Sequence, residues 1–406
     1  MNDQFINIVF PPLFLLLWGR FCMQNGSNNL RFCALFFTSI ACFSQNFSLI
    51  FRELHQLIQL GLVFLFVLII CTKQLLLKIF FIPLLFLGFI CISLIFSSFD
   101  ADAKVQLINF CVVFIVLCFL YVSLTNEQSL IKILSFIGEL GFLVAISGIV
   151  EYLLGLSVRI EGTFANPNYF ALFVGIAWAP AYYYFKGQKK YIALLIMVIA
   201  IVLSGSRSAL IIPFLSILWL IYLQGNIIKT IAYGLAMSLL IFGVYLSGVT
   251  RFSSSETTGS DEERLIFTKI AVDMAIEHPL SGVGWGRFVP EFANYASKMD
   301  QMYLAKGSAN ISKQVRRVTH NDLLRIMAEL GFIAVCAVIY FLIKTGYLIF
   351  KYRGFGFNCL FPCWAGMLLF SLAHNNLNTA FSWFFLLLPW LIYYQRVAPK
   401  LRDDFN

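Results

Sequence analysis

Long apolar runs recur along the whole sequence, and they restrict the possible folds more than any other feature. A helix that crosses a lipid bilayer needs roughly 20 mostly apolar residues, and the runs predict about 12 such helices. Of the 406 residues, 60% are hydrophobic and only 12% are charged, which is too little charge to cover a water-soluble chain of this length. The runs lie at 6–23, 31–50, 57–71, 79–96, 105–122, 130–154, 164–185, 192–203, 209–223, 228–246, 323–350, 360–372 and 380–394.

The positive charge is spread over short segments between and after the apolar runs. The net charge is +9, but because this charge is not concentrated in one patch we expect no nucleic-acid partner. The positive-inside rule places the basic segments around Lys186, Lys351 and Arg396 in the cytoplasm, and the segment 249–319 on the opposite side of the membrane. We predict an all-α fold, a polytopic transmembrane helix bundle with one large outer loop that contains short helices.

Polar segments divide the chain into five parts. The first apolar run lacks the basic flank of a cleavable signal peptide, so we expect it to remain as a helix. The parts are N-terminal transmembrane helices at 1–158, central transmembrane helices with polar outer motifs at 159–248, the large loop at 249–319, C-terminal transmembrane helices at 320–395 and a cytoplasmic tail at 396–406.

The loop at 249–319 is long enough that a function or disorder is the usual explanation. Ser260 and the three acidic residues after it predict the start of a helix, and Pro279 predicts its end. Apolar residues at helical spacing predict that one face of this helix lies on the membrane surface or on the bundle. These residues are Ile266, Ile270 and Met274. A tight turn follows, with glycine at positions 282, 284 and 286.

The loop ends at a histidine beside a predicted helix start. Thr319 and Asp322 form a capping-box pattern, which places His320 in the first turn of a long apolar helix. A helix N-terminus disfavours the imidazolium and attracts anions, and Arg316 and Arg317 stand beside it. A neutral base next to an anion site suits glycosyl transfer from a diphosphate donor. The alternative is an interfacial histidine that only hydrogen-bonds a lipid headgroup.

Three further polar groups interrupt the apolar runs. Arg207 lies in a polar break at 204–208, where an arginine must face protein, water or an anion because its cost in lipid is several kcal/mol. The segment 159–169 places polar residues and a proline at the start of another span. Arg325 and Glu329 lie one helical turn apart, either as a catalytic pair or, as we favour, as an internal ion pair.

The order and spacing of these motifs resemble the O-antigen ligase and polymerase superfamily of bacterial inner-membrane glycosyltransferases. The resemblance covers residues 160–335, and the first 150 residues contribute only hydrophobicity. The motifs are Gly-Thr-Phe-Ala-Asn-Pro-Asn at 162–168, Ser-Gly-Ser-Arg at 204–207, Glu-Arg at 263–264, His-Pro-Leu-Ser-Gly-Val-Gly at 278–284, His-Asn at 320–321 and Glu-Leu-Gly at 329–331.

The resemblance implies a role for each matched residue. His320 would be the general base that activates the acceptor hydroxyl, and Arg207 and Arg264 would hold the pyrophosphate of the donor. The donor would be a glycan on undecaprenyl diphosphate and the acceptor the lipid A-core or another glycan, both at the periplasmic face of the inner membrane, with no metal or other cofactor. Further substrate-binding candidates are Arg316, Arg317, Asn321, Arg159, Asn166 and Asn168.

Several reactions remain open within and outside this superfamily. The histidine motif favours a ligase that attaches O-antigen to the lipid A-core. Thr268 and Ala334 depart from the ligase pattern, so a polymerase that joins lipid-linked repeat units stays possible, as does a protein O-oligosaccharyltransferase. A transporter of lipid-linked sugars is the alternative from another class. Transporters usually show two related halves and charge near the bilayer midplane, whereas the polar residues here concentrate in one outer loop.

Overall fold

The computed structural model describes residues 3–25, 27–43, 127–157, 159–164, 166–223, 256–296, 319–352 and 358–393, with a few single positions between 225 and 235. Within these ranges all regular secondary structure is helical, as predicted. The predicted spans at 57–71, 79–96 and 105–122, most of 228–246 and the tail at 396–406 lie outside the described residues. The total number of helices therefore remains a prediction.

Eleven α-helices lie in the described ranges, and a short 3-10 turn at Asn376–Asn378 precedes the last of them. The helices are α1 (Asp3–Gln24), α2 (Asn28–Phe43), α3 (Glu127–Leu153), α4 (Pro167–Tyr184), α5 (Gln188–Leu203), α6 (Arg207–Leu223), α7 (Glu256–Glu277), α8 (Phe288–Ala296), α9 (Asp322–Lys351), α10 (Leu360–Ser371) and α11 (Ala380–Ile392).

The length and composition of several helices fit a membrane protein. Two of the described helices, α3 over Gln128–Leu153 and α9, are long and apolar enough to cross a membrane. Shorter apolar helices correspond to α1, α2, α6, α10 and α11. Large apolar side chains also point outward, among them Leu195 of α5 at 61% exposure and Ile343 of α9 at 64%. An outward-facing apolar surface of this kind fits contact with lipid.

Small residues bring α3 and α4 into close contact. Gly138 and Gly141 of α3 face Ala181 and Ala177 of α4, and a Cβ atom at either glycine would collide with the facing alanine. Small residues spaced one turn apart allow two helix backbones to approach closely, which is a common packing mode in membranes. Because α4 carries residues of the candidate site at its N-terminus, this contact positions the site on the bundle.

Helix α7 packs on the bundle and ends where the sequence predicts. Its last residue, Glu277, lies just before Pro279, but its first residue is Glu256, so the predicted start near Ser260 is wrong. Residues that favour a helix start are also tolerated inside a helix, so the helix can begin one turn earlier. Of the predicted apolar face, Ile270 and Met274 are fully buried against α8 and α9.

The glycine-rich segment after α7 pairs with an unwound turn of α9. Gly331 of α9 has φ 83° and ψ 178°, which opens the helix at this point. The carbonyls of Ala328 and Glu329 accept hydrogen bonds from the backbone N–H groups of Val283 and Gly284 at 2.8 and 3.0 Å. Gly282, with φ 63°, lies so close that a Cβ atom would overlap the backbone of Glu329. The predicted tight turn is confirmed.

A buried ion pair supports the same junction. Arg325 and Glu329 lie one turn apart on α9 with a 3.2 Å contact between Nε and Oε1, and both are nearly inaccessible to solvent. The same carboxylate oxygen accepts a hydrogen bond of 3.2 Å from the backbone N–H of Phe288, the first residue of α8. Glu329 therefore joins α9 to α8, and the pair has the internal role that we favoured from the sequence.

Candidate functional site

Two histidines meet where α9 begins and α10 ends. The ring centroids of His320 and His374 lie 6.1 Å apart, with the two planes nearly perpendicular at 86°. On its other side His374 stacks on Phe370 of α10, with 4.4 Å between centroids. The ring of His320 is also 6.3 Å from that of Phe267 on α7. Residues from three separate parts of the sequence thus form one cluster.

His320 lies just outside α9, so its predicted position in the first turn is wrong. The N-cap is Asn321, whose side-chain oxygen accepts a 3.1 Å hydrogen bond from the backbone N–H of Leu324. The hydroxyl of Thr319 instead donates to the carbonyl of Asn321 at 3.0 Å. Asparagine caps helices at least as well as threonine, and here it occupies the cap position. His320 therefore precedes the cap and remains beside the helix N-terminus.

Asp322 fixes the position of His374. Its carboxylate is buried and accepts hydrogen bonds from the backbone N–H groups of Asn376 and Leu377 at 2.8 and 3.1 Å. The side-chain amide of Asn321 also donates to the carbonyl of Leu372 at 3.3 Å. The segment between α10 and α11 is therefore tied to the start of α9, which holds the two imidazoles at a defined separation.

Arg159 connects two of the polar motifs. Its Nε donates to the carbonyl of Ser204 at 2.6 Å, and its Nη2 donates to the side-chain oxygen of Asn168 at 2.7 Å. The side chain of Asn166 accepts from the backbone N–H of Asn168 and caps α4. The structure thus brings the predicted residues Arg159, Asn166 and Asn168 together, and it gives both asparagines partners within the fold.

The preceding loop is held by a buried carboxylate. Glu151 of α3 accepts hydrogen bonds from the backbone N–H groups of Glu161 and Gly162 at 3.0 and 2.6 Å. Further along the chain, Tyr169 of α4 donates from its hydroxyl to the carbonyl of Asn375 at 3.0 Å. These contacts attach the motif at 159–169 both to α3 and to the segment that contains His374.

Positive charge surrounds His374. Burial is the main cause that lowers its pKa, the interactions with Arg264, His320 and Arg159 also lower it, and together they bring the pKa to about 3. His374 is therefore a neutral imidazole at neutral pH. Arg159, Arg264 and His320 are thus near enough to His374 to affect its charge, and we call these four residues the histidine site.

The remaining predicted residues have different positions. Arg264 is half-buried on α7, one turn before Phe267, which contacts His320. Arg207 is exposed and is the first residue of α6. It follows Gly205, where a Cβ atom would lie 3.5 Å from Nε of Arg159. Arg316 and Arg317 lie outside the described residues, so their role stays a prediction.

His374 is the residue that sequence reasoning missed. The sequence showed only a short outer segment between two apolar runs, and the contact that fixes it joins residues 54 positions apart. A usable signal was nonetheless present, because His374, Asn375 and Asn376 are three consecutive polar residues between two short apolar helices.

Comparisons with known proteins add one finding to this geometry. No match to the chain is found among curated proteins. The model of the O-antigen ligase family matches residues 192–339, a segment that contains Arg207, Arg264 and His320. This match confirms the resemblance of the chain to the O-antigen ligase and polymerase superfamily.

Proposed function

We propose that this protein is an O-antigen ligase, which transfers a glycan from undecaprenyl diphosphate to the lipid A-core at the periplasmic face of the inner membrane. The observation that carries the proposal is the histidine site itself. A histidine at a helix start stands among arginines at one end of an apolar helical bundle, and the family match includes that histidine and Arg264. These groups suit proton transfer and the binding of an anionic leaving group.

The reaction uses His320 as the base. Its imidazole takes the proton of an acceptor hydroxyl while the hydroxyl oxygen attacks the anomeric carbon of the donor glycan. The bond between that carbon and the diphosphate oxygen breaks, and its electron pair stays on the diphosphate. A positioned base of this kind contributes roughly 10²–10⁴-fold in rate.

Arginine side chains stabilise the departing diphosphate. Arg264 and Arg207 bind its oxygens through paired N–H groups, a geometry that matches phosphate and strengthens as negative charge develops. Arg159 adds positive charge near His374 and is held by Ser204 and Asn168. Proton removal and charge neutralisation are thus assigned to side chains of this chain.

A polymerase is the second candidate, because two residues depart from the ligase pattern. Thr268 lies on α7, one turn after Arg264, and Ala334 lies on α9, just beyond the kink at Gly331. The side chain of Ala334 is fully buried. The difference from the ligase pattern at position 334 therefore affects buried packing of α9. Thr268 is half-buried and lies one turn from Arg264.

The test is a gel of lipopolysaccharide from a deletion strain complemented with the wild type or with single variants. For a ligase, the deletion strain carries core lipid without repeats and accumulates polymer on the undecaprenyl carrier. Core with a single repeat indicates a polymerase. An unchanged ladder contradicts both the ligase and the polymerase. Glycoproteins are then analysed for the product of a protein O-oligosaccharyltransferase. If purified protein also forms no product from donor and acceptor, the transporter of lipid-linked sugars is the remaining candidate.

Single variants distinguish residues that act in the reaction from residues that only stabilise the fold. His320→Ala, Arg207→Ala and Arg264→Ala are expected to abolish complementation while membrane levels of the protein stay near those of the wild type. His278→Ala is the matched control, because His278 is exposed at the end of α7 and lies outside the histidine site. Loss of protein instead of activity in all three site variants would contradict the assigned roles.

A further inference from the structure

His374 is a largely buried polar side chain of the histidine site. It is only 8% exposed. Its ring contacts Phe370 and His320, but its imidazole forms no hydrogen bond with any residue in the described ranges. The ring nitrogens of His374 are not among the fully enclosed polar atoms that lack a partner, so they remain accessible to a ligand.

The position of this imidazole is enforced by its surroundings. Asp322 and Asn321 hold the segment between α10 and α11 against the start of α9, and Tyr169 binds the carbonyl of the next residue, Asn375. His374 also stacks on Phe370 with the ring planes 29° apart. The backbone around His374 is thus held in place, and the stacking on Phe370 orients its ring.

The electrostatic surroundings define the chemistry of that ligand. Burial keeps His374 neutral, and the permanent charges of Arg264 and Arg159 make its surroundings positive. A neutral imidazole carries one N–H donor, and the charge around it attracts an anion. A neutral histidine that donates a hydrogen bond to developing negative charge is a known catalytic arrangement, as in triosephosphate isomerase. An anionic oxygen therefore fits this position better than a cation or a sugar hydroxyl.

We propose that His374 donates a hydrogen bond to a diphosphate oxygen of the lipid-linked donor and is a binding residue of the site. This inference rests on the proposed function. The rings of His320 and His374 are close enough to contact the two sides of one reacting group, with the acceptor hydroxyl at His320 and the diphosphate at His374. During transfer the proton goes to His320, and the electron pair of the broken bond goes to the diphosphate oxygen.

The experiment measures binding of undecaprenyl diphosphate to the purified full-length protein in detergent. His374→Phe keeps an aromatic ring to stack on Phe370 but removes the N–H donor. His374→Asn and His374→Gln restore an N–H near one or the other ring nitrogen. Loss of one hydrogen bond to a charged group corresponds to about tenfold to a hundredfold weaker binding.

We expect His374→Phe to weaken binding by about this factor and at least one amide variant to recover most of it. His320→Phe is expected to bind undecaprenyl diphosphate nearly as well as the wild type while losing transfer, because His320 serves the acceptor. His278→Phe, which places the same substitution at an exposed histidine, is expected to leave both properties unchanged.

Two outcomes would overturn the inference, and they are distinguishable. Equal binding by the wild type and His374→Phe, with transfer lost in the variant, would mean that His374 only orients His320 or supports the fold. A wild-type protein that binds no undecaprenyl diphosphate and transfers no glycan would overturn the proposed function together with this inference. Recovery by an amide variant separates hydrogen bonding from packing, because both amides pack worse on Phe370 than phenylalanine does.

Discussion

At the scale of single residues, burial determines the protonation of the second histidine of the site. In an unfolded chain the pKa of a histidine is about 6.5, whereas burial and the neighbouring positive charges lower the pKa of His374 to about 3 in the folded protein. As the pH falls through this window, the unfolded chain binds a proton that the folded protein does not bind. The lowered pKa of His374 therefore has little effect on stability above about pH 6.5, and it destabilises the fold increasingly as the pH falls towards 3.

Removing this histidine should make the fold less sensitive to acid. Between pH 7 and pH 5 we expect the wild type to lose about 2 kcal/mol more of its free energy of unfolding than His374→Phe, because the variant has no imidazole to protonate when it unfolds. Thermal unfolding of both proteins in the same detergent at the two pH values measures the difference. Parallel losses in the two proteins would mean that His374 is protonated in the folded protein as readily as in the unfolded chain.

At the scale of helices and turns, the junction between α7 and α9 depends on close approach of two backbones. Gly282 and Gly155 have nearly the same positive φ, 63° and 65°. A Cβ atom at Gly282 would overlap Glu329, whereas a Cβ atom at Gly155 would meet nothing within 4 Å. The two positions therefore separate the cost of a left-handed conformation from the cost of a steric clash.

Alanine at these two positions should have different effects. Gly155→Ala is expected to cost about 1 kcal/mol, from the positive φ alone. Gly282→Ala is expected to cost about 1–3 kcal/mol more, because the added methyl group pushes the turn away from α9. Thermal unfolding measures both, and glycan transfer should fall only in Gly282→Ala, since α7 carries Arg264. Equal effects on stability would contradict the backbone contact.

Features encoded within a few residues could be predicted from the sequence, and long-range contacts could not. Pro279 after α7, the glycine turn that follows and the spacing of Arg325 and Glu329 depend on local backbone and helix geometry, and the structure contains all three. The cap of α9 was misassigned because Thr319 and Asn321 are both good capping residues. His374 was missed because only the folded chain brings it to His320.

At the scale of the whole molecule, the basic segments and the histidine site lie at opposite ends of the described helices. Helix α4 runs from Asn166, beside Arg159, to the segment with Lys186, and its 18 residues span about 27 Å. Helix α9 likewise runs from the site to Lys351. This separation is close to the thickness of about 30 Å of a bilayer core, so it supports opposite membrane sides for the lysines and the site.

This arrangement makes the orientation of the chain testable with two reporters inserted into the full-length protein. Alkaline phosphatase is active only outside the cytoplasm and green fluorescent protein folds only inside it. We expect fluorescence after insertion at Gly187, between α4 and α5, and phosphatase activity after insertion at Ala296, at the end of α8. Phosphatase activity at Gly187 would reverse the orientation. The histidine site would then face the cytoplasm, where it could not meet a donor presented in the periplasm, and the proposed function would have to be abandoned even if the geometry of the site were correct.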